Sequence, residues 1–494
     1  MTGTDARTSL GDRAARGSGI VLATQAVKVL VQFGSLVVLA RLLSPEDFGL
    51  AAMVISVIGI ADLLREFGLS SAVVQAKTVS AGERTNLFWV NVGFGLLCTV
   101  LVSAAAPLIV LMYDGRTELA PVTLALAWVF LISGTNTQFR ADLTRSMRYA
   151  SLALSDVASQ VLGLAVAIVL AANGAGVWAI VGQQLTAALV ALMVNVASTR
   201  WIPGWPQRHV SVRRFLRFGG NLFATQALTY LTKNVDNISL GIVFGPTPLG
   251  YYSRAYQLLM APLNQINAPM TGVALPVLSR VQDDDERFVH YLRRGQLLAC
   301  YLTATVFTVC AGLSEPLVLV LFGQDWLPVA PIFAILALGG IFRSIQQIAF
   351  WTYLARAQTG AQLRMILVTR PIMIGMMLAG LPWGPVGVAA GHSLGYLMFW
   401  VVSTWHAGRS TGVDGWALMR GAARPVLLVS APAGIVAWAA TLIAVAPVLQ
   451  LLIGTGAALT CLGLMMLFSR TVRGDVRILF AFLRRAVGTR SRRR

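Results

Sequence analysis

Polar groups with the capacity to bind anions are spaced at helical intervals inside stretches that are otherwise apolar. Gln25, Lys28, Gln32 and Ser35 fall three or four residues apart, so a helix would place them on one face. A second stretch repeats the stripe as Gln226, Thr229, Lys233 and Asp236, followed by Asn237. Arg254, Arg343 and Arg370 add guanidinium groups in later apolar runs. A Lys or Arg facing lipid at the bilayer centre costs about 2.5–3.5 kcal/mol, so these five bases are expected to line a hydrated cavity. Asp236 is the one acid set well inside such a run, so the cavity would be cationic and would favour an anionic ligand. At about 4 Å and an effective dielectric near 20, one charge pair contributes roughly 4 kcal/mol before desolvation. A diphosphate would engage several bases at once. Amides and aromatics around them, including Asn234, Tyr252, Tyr256, Asn267, Gln347, Trp351 and Tyr353, suit sugar hydroxyls and ring faces.

Each residue also has a plainer reading. Lys233 and Asp236 are three apart and can neutralise each other. Arg254, with Tyr251, can anchor the outer interface, and Arg370 can extend its head to the cytoplasmic surface. Covalent catalysis finds no support: the four histidines are scattered, and no nucleophile constellation or phosphate-binding glycine loop occurs. Cys98, Cys300, Cys310 and Cys461 lie in apolar runs without metal-ligand spacing and read as packing residues. The acidic run Asp283–Glu286 reads as a solvated loop in preference to a metal site. No cofactor is expected.

The elements that must position these groups are membrane helices. Hydrophobic residues make up 56% of the 494 and charged residues 12%, with a mean hydropathy of +0.71. Apolar runs of about 20 residues recur, each long enough to span a hydrocarbon core. Fourteen spans are expected, the first from 19 to 41 with no cleavable signal peptide before it. Loops alternate between short, nearly uncharged ones such as 173–176 and long, arginine-rich ones. Of 39 Lys and Arg residues, 32 fall on one side and two, Arg41 and Arg116, on the other, which places both termini in the cytoplasm. The net charge of +19 therefore reads as an orientation device, and no nucleic-acid partner is expected. The tail carries Arg477, Arg484 and Arg485 among Ile478, Leu479, Phe482 and Leu483; a helix lying on an anionic leaflet and a frayed basic end both fit.

The chain also repeats itself. Ala23-Thr24-Gln25-Ala26 returns as Ala224-Thr225-Gln226-Ala227, and Pro45 and Gly49 as Pro246 and Gly250, every pair 201 positions apart. Nine identities occur in the 31 positions from 19 to 49 at that register. Internal duplication of this kind is a transporter signature. The expected organisation is a basic cytoplasmic N-terminus (1–18), a six-helix lobe (19–198), a cytoplasmic linker (199–217) and a second six-helix lobe (218–405). A cytoplasmic loop (406–424), two extra helices (425–468) and a basic tail (469–494) follow. The fold class is thus an all-α polytopic membrane protein, two pseudo-repeat lobes around a central cavity. Helix 8 carries Pro262, Pro269 and Pro276 and is expected to be bent or segmented, as a static kink or as a hinge.

The segment Ala40-Arg41-Leu42-Leu43-Ser44-Pro45-Glu46-Asp47-Phe48-Gly49 resembles the bacterial polysaccharide exporters, which handle lipopolysaccharide and exopolysaccharide precursors. So do Asp236-Asn237-Ile238-Ser239-Leu240-Gly241, Gly250-Tyr251-Tyr252-Ser253-Arg254-Ala255-Tyr256 and Ala274-Leu275-Pro276-Val277-Leu278-Ser279-Arg280. The family is a branch of the multidrug/oligosaccharidyl-lipid/polysaccharide superfamily. The resemblance implies a flippase of the bacterial cytoplasmic membrane that moves undecaprenyl-diphosphate-linked oligosaccharide outward by rocking two lobes. Its partners would be that substrate, membrane lipids and other membrane proteins of polysaccharide assembly. Two rivals share the fold: a flippase for the lipid-linked peptidoglycan precursor, and a cation-coupled drug antiporter, which would want more membrane carboxylates.

Overall fold

Long apolar runs can cross a bilayer only if every backbone polar group is satisfied within the segment, which selects the helix. The computed structural model follows that rule: among the described residues the regular structure is helical and contains no strand. The structure describes residues 3–66, 69–76, 78–213, 215–216, 230, 234–443, 445–475 and 477. Among them, ten helical stretches are long and apolar enough to cross a membrane, against fourteen expected from the sequence. The expected span at 218–244 lies largely outside the described residues. Packing divides the chain into two units, Met1–Gly250 and Tyr251–Arg494.

The first unit comprises α1 (Gly3–Leu42), α2 (Pro45–Glu66), the short α3 (Leu69–Gln75), α4 (Ala81–Met112), α5 (Leu119–Arg145), α6 (Tyr149–Ala172) and α7 (Val177–Thr199). Helical backbone resumes at 234–244. Helix α1 begins well before residue 19, so the polar N-terminal segment is helical. Helix α4 opens on a capping box: Ser80 Oγ accepts from the Glu83 amide, and the Glu83 carboxylate accepts from the Ser80 amide. The 199–217 linker is pinned to the start of α4. Asn86 donates to the carbonyls of Gln207 and Val210 at 2.8 Å and accepts from the Gln207 amide at 2.7 Å. Trp89 Nε1 donates to Gly204 O at 2.8 Å, and the Arg84 guanidinium lies 4.1 Å from the Trp201 ring centroid.

The packing boundary falls at Gly250, not in that linker, because Tyr230, Gly241 and Gly250 meet the earlier helices. The Tyr230 hydroxyl donates to the carbonyls of Ile55 and Ser56 at 3.2 Å. Gly241 rests against Tyr113 and Met53. The repeated motif then packs on its own copy: a Cβ on Gly49 would overlap the carbonyl of Pro246, and one on Gly250 would overlap the carbonyl of Pro45. That reciprocal approach of two backbones is open only to glycine.

The second unit is built from α8 (Pro246–Arg280, which begins at the end of the first), α9 (Asp285–Ala299), α10 (Thr305–Gly312), α11 (Ser314–Leu321), α12 (Val329–Ile345) and α13 (Gln347–Ala355). Then come α14 (Thr359–Ala379), α15 (Gly384–Thr411), α16 (Gly415–Pro425), α17 (Ala431–Thr441) and α18 (Pro447–Phe468). Helix α8 runs unbroken through Pro262, Pro269 and Pro276, so of the two expected forms, bent or segmented, it is not segmented. Each proline removes one hydrogen bond, and at seven-residue spacing the intervening turns keep theirs.

Two π-helical turns, Cys300–Ala304 and Val426–Ser430, join α9 to α10 and α16 to α17. The second is tied to the start of α10: Thr305 Oγ1 and Ser430 Oγ are 3.1 Å apart, and Thr308 Oγ1 donates to Ser430 O at 2.8 Å. Leu313 packs with Ala433, Ala437 and Ala458 of the two helices outside the duplication. Only 11% of the apolar window of α18 is buried, so most of that helix is left for lipid. The acidic run 283–286 proves to be a helix start: Asp284 caps α9 through the Arg287 amide, and Asp285 pairs with Arg356.

Candidate functional site

Because the two units are separate bodies, the polar groups of each are described within it. In the first unit, Gln25 and Gln32 are exposed on α1, and Lys28 between them is half-buried. The Lys28 ammonium is not bare. Its Nζ donates to Asp156 Oδ2 at 3.1 Å from α6, and Arg140 of α5 donates to both oxygens of the same carboxylate, at 2.6 and 3.3 Å. One carboxylate is thus shared by two cations. Ser35, one turn beyond Gln32, accepts from Gln183 of α7 at 3.1 Å. The polar stripe of α1 therefore looks toward α6 and α7 at Lys28 and Ser35.

Gln226 and Lys233 lie outside the described residues. Asp236 is buried, and its Oδ1 accepts from the backbone amide of Asn237 at 2.9 Å. Asn237 Oδ1 is buried with no hydrogen-bond partner. Asn91 of α4 and Gln138 of α5 are buried amides likewise without a partner for either side-chain atom. Sequence reading passed over both, because single amides in apolar helices carry no spacing signal.

In the second unit Arg343 sits in a ring of aromatics. Its Nη1 donates to the Tyr256 hydroxyl at 2.9 Å, and its guanidinium carbon lies 4.9 Å from the Tyr396 centroid and 5.7 Å from that of Tyr256. His392, 2% exposed, closes the group with its ring 4.9 Å from Tyr396 and 5.7 Å from Tyr256. A guanidinium stacked on aromatic faces keeps its charge while shedding part of its water, which prepares it to meet an anion. Arg370 of α14 lies 5.0 Å from the Phe399 centroid, and Arg254 is half-buried on α8.

Several residues that suit sugar hydroxyls and ring faces bond between helices. Asn267 Oδ1 accepts from Ser344 Oγ at 2.8 Å. Thr271 Oγ1 accepts from Gln347 at 3.2 Å and from Trp351 Nε1 at 3.0 Å. The Tyr353 hydroxyl meets His406 Nδ1 at 2.8 Å. The last joins α13 to α15; the others, with Tyr256–Arg343, form a polar seam from α8 to α12 and α13. Among the described residues no group of three or more His, Cys, Asp or Glu side chains could hold a metal ion.

Comparison with known proteins places this arrangement in context. The family model described as "Polysaccharide biosynthesis protein" matches residues 38–331. The chain is similar to the lipopolysaccharide biosynthesis protein WzxC of Escherichia coli (strain K12), 26% identical over 78% of this chain and 79% of that protein. It is 26% identical to the succinoglycan biosynthesis transport protein ExoT of Rhizobium meliloti (strain 1021) over 62% of each. Among solved structures, the lipid II flippase MurJ in an inward closed conformation superposes with a TM-score of 0.71 at 16% identity, covering 90% of this chain and 98% of that one. An inward-facing multidrug MATE transporter gives 0.59 at 17% identity, over 80% and 96%. The last two similarities show a shared all-helical membrane fold.

Proposed function

The chain belongs to the polysaccharide biosynthesis protein family, and from that membership we propose that it is a flippase for a lipid-linked oligosaccharide. It is a multi-pass membrane protein, and the proposed location is the bacterial cytoplasmic membrane with both termini in the cytoplasm. The observation that carries the reading is that cations sit inside apolar spans: Lys28 in Ala23–Leu42, Arg343 in Val329–Ala355 and Arg370 in Thr359–Thr411. Such groups are expensive in lipid and are kept where they meet an anion.

The proposed substrate is an oligosaccharide on undecaprenyl diphosphate. Its diphosphate offsets the helix-borne cations while its polyprenyl tail stays in the bilayer. Translocation proceeds by alternating access and involves no covalent step. Aromatic faces and amides not used in the α8 seam would meet the glycan. The names of WzxC and ExoT support a biosynthetic transport role of this kind.

Deleting the gene tests the reading. A lipid-linked oligosaccharide should accumulate on the cytoplasmic leaflet and clear when the wild-type gene is restored. Accumulation of the peptidoglycan precursor alone would transfer the role to that substrate. No accumulation, with altered drug efflux, would favour an antiporter.

A further inference from the structure

Flipping as described leaves one carboxylate without a task. Asp156 lies inside an apolar helix, yet it binds two cations from two other helices and is shared between them. The cluster of Lys28, Arg140 and Asp156 keeps a formal surplus of one positive charge. Nor is it sealed: the side chains are 29%, 44% and 19% exposed, so a ligand can reach them without unfolding the helices. Lys28 spends one of its three donors on Asp156, and the Arg140 fork already grips a planar anion with two.

Resting on the lipid-diphosphate reading above, we propose that Lys28 and Arg140 form a phosphate subsite and that Asp156 is its resident counter-anion, displaced when the substrate's phosphate arrives. Carboxylate and phosphate oxygens compete for the same donors with the same fork geometry. While the subsite is empty, Asp156 keeps both cations paired and oriented, which limits the cost of holding them in a span. Once a phosphate is bound, like charge drives the carboxylate aside. A built-in competitor weakens binding by design, and a transporter needs that, because its ligand must also leave.

The test uses the full-length protein in lipid nanodiscs, titrated with farnesyl diphosphate as a soluble polyprenyl diphosphate. Lys28→Gln and Arg140→Gln should each weaken binding at least about tenfold, because each removes one charged partner of the phosphate. Asp156→Asn should do the opposite, tightening binding at least about tenfold and slowing release, since a like-charged competitor for the same donors is removed. A merely structural Asp156 would move in the same direction as the two cations. Equal or weaker binding by Asp156→Asn overturns the inference.

A second readout needs no variant to fold. In the wild-type protein with isotope-labelled aspartate, adding farnesyl diphosphate should shift a carboxylate stretch in the infrared difference spectrum. No shift at saturating ligand also overturns it. The flippase reading is tested separately, by whether the wild-type protein accelerates flipping of an undecaprenyl-diphosphate-linked sugar. Flipping without tightening by Asp156→Asn sinks only the counter-anion; tightening without flipping sinks only the transport role.

Discussion

At the scale of single residues, the cations were legible in the sequence and their partners were not. Lys28 and Arg343 stand out because a charge inside an apolar run is costly. Their partners arrive from far along the chain: Asp156 is 128 positions from Lys28, and Tyr256 is 87 from Arg343. No local spacing encodes such pairs. For the same reason the bonds that Asn267, Gln347 and Trp351 make between helices could not be read from the sequence. Tyr256→Phe should remove the bond that Arg343 Nη1 donates to the Tyr256 hydroxyl while keeping the ring. The loss is expected to be about 1.5–3 kcal/mol for a bond to a charged group, read as a lowered melting temperature in detergent. An unchanged melting temperature would mean that this bond does not help to hold the guanidinium.

At the scale of elements, the exporter-like stretch at 40–49 turns out to be a helix start with a packing surface. Ser44 Oγ accepts from the Asp47 amide at 3.2 Å, and the Asp47 carboxylate accepts from the Ser44 amide at 3.0 Å. Pro45 opens the helix where its missing amide costs nothing. Ser44→Ala should cost about 1 kcal/mol of stability, measured by thermal unfolding of the purified protein. Gly49 and Gly250 are more demanding, because each faces the backbone of the other's proline motif. Gly49→Val and Gly250→Val should sharply reduce the folded fraction in fluorescence-detected size-exclusion chromatography. Gly34→Val, with open space around it, should leave that fraction unchanged. Equal yields for all three would show that the close approach is dispensable. The sequence exposed the repeated Pro-x-x-x-Gly, but not that one copy packs on the other. It also gave no sign of the π turns at 300–304 and 426–430, since they answer to the packing of α10 against α17.

At the scale of the whole molecule, composition gives the class, an all-helical membrane protein, and the repeat 201 positions apart gives its duplicated core. The fold shared with MurJ agrees with that class. The first packing unit ends at Gly250 instead of in the linker because Tyr230, Gly241 and Gly250 carry hydrogen bonds and close contacts back to α2 and to Tyr113 at the end of α4. A repeat boundary records how a chain was duplicated; a packing boundary records which side chains meet. Topology is directly testable. Alkaline phosphatase fused after Ala175 should be active, and the same enzyme fused after Gln207 should be inactive, with the reverse pattern inverting the whole assignment.

The most direct measurement is flipping in proteoliposomes that carry a labelled undecaprenyl-diphosphate-linked sugar, with wild-type protein, Lys28→Ala and Arg343→Ala reconstituted at equal density. The expected result is rapid leaflet exchange with the wild-type protein and at least tenfold slower exchange with each variant, consistent with loss of one charged contact of a few kcal/mol. Exchange at the wild-type rate in both variants would contradict the claim that helix-borne cations receive the diphosphate.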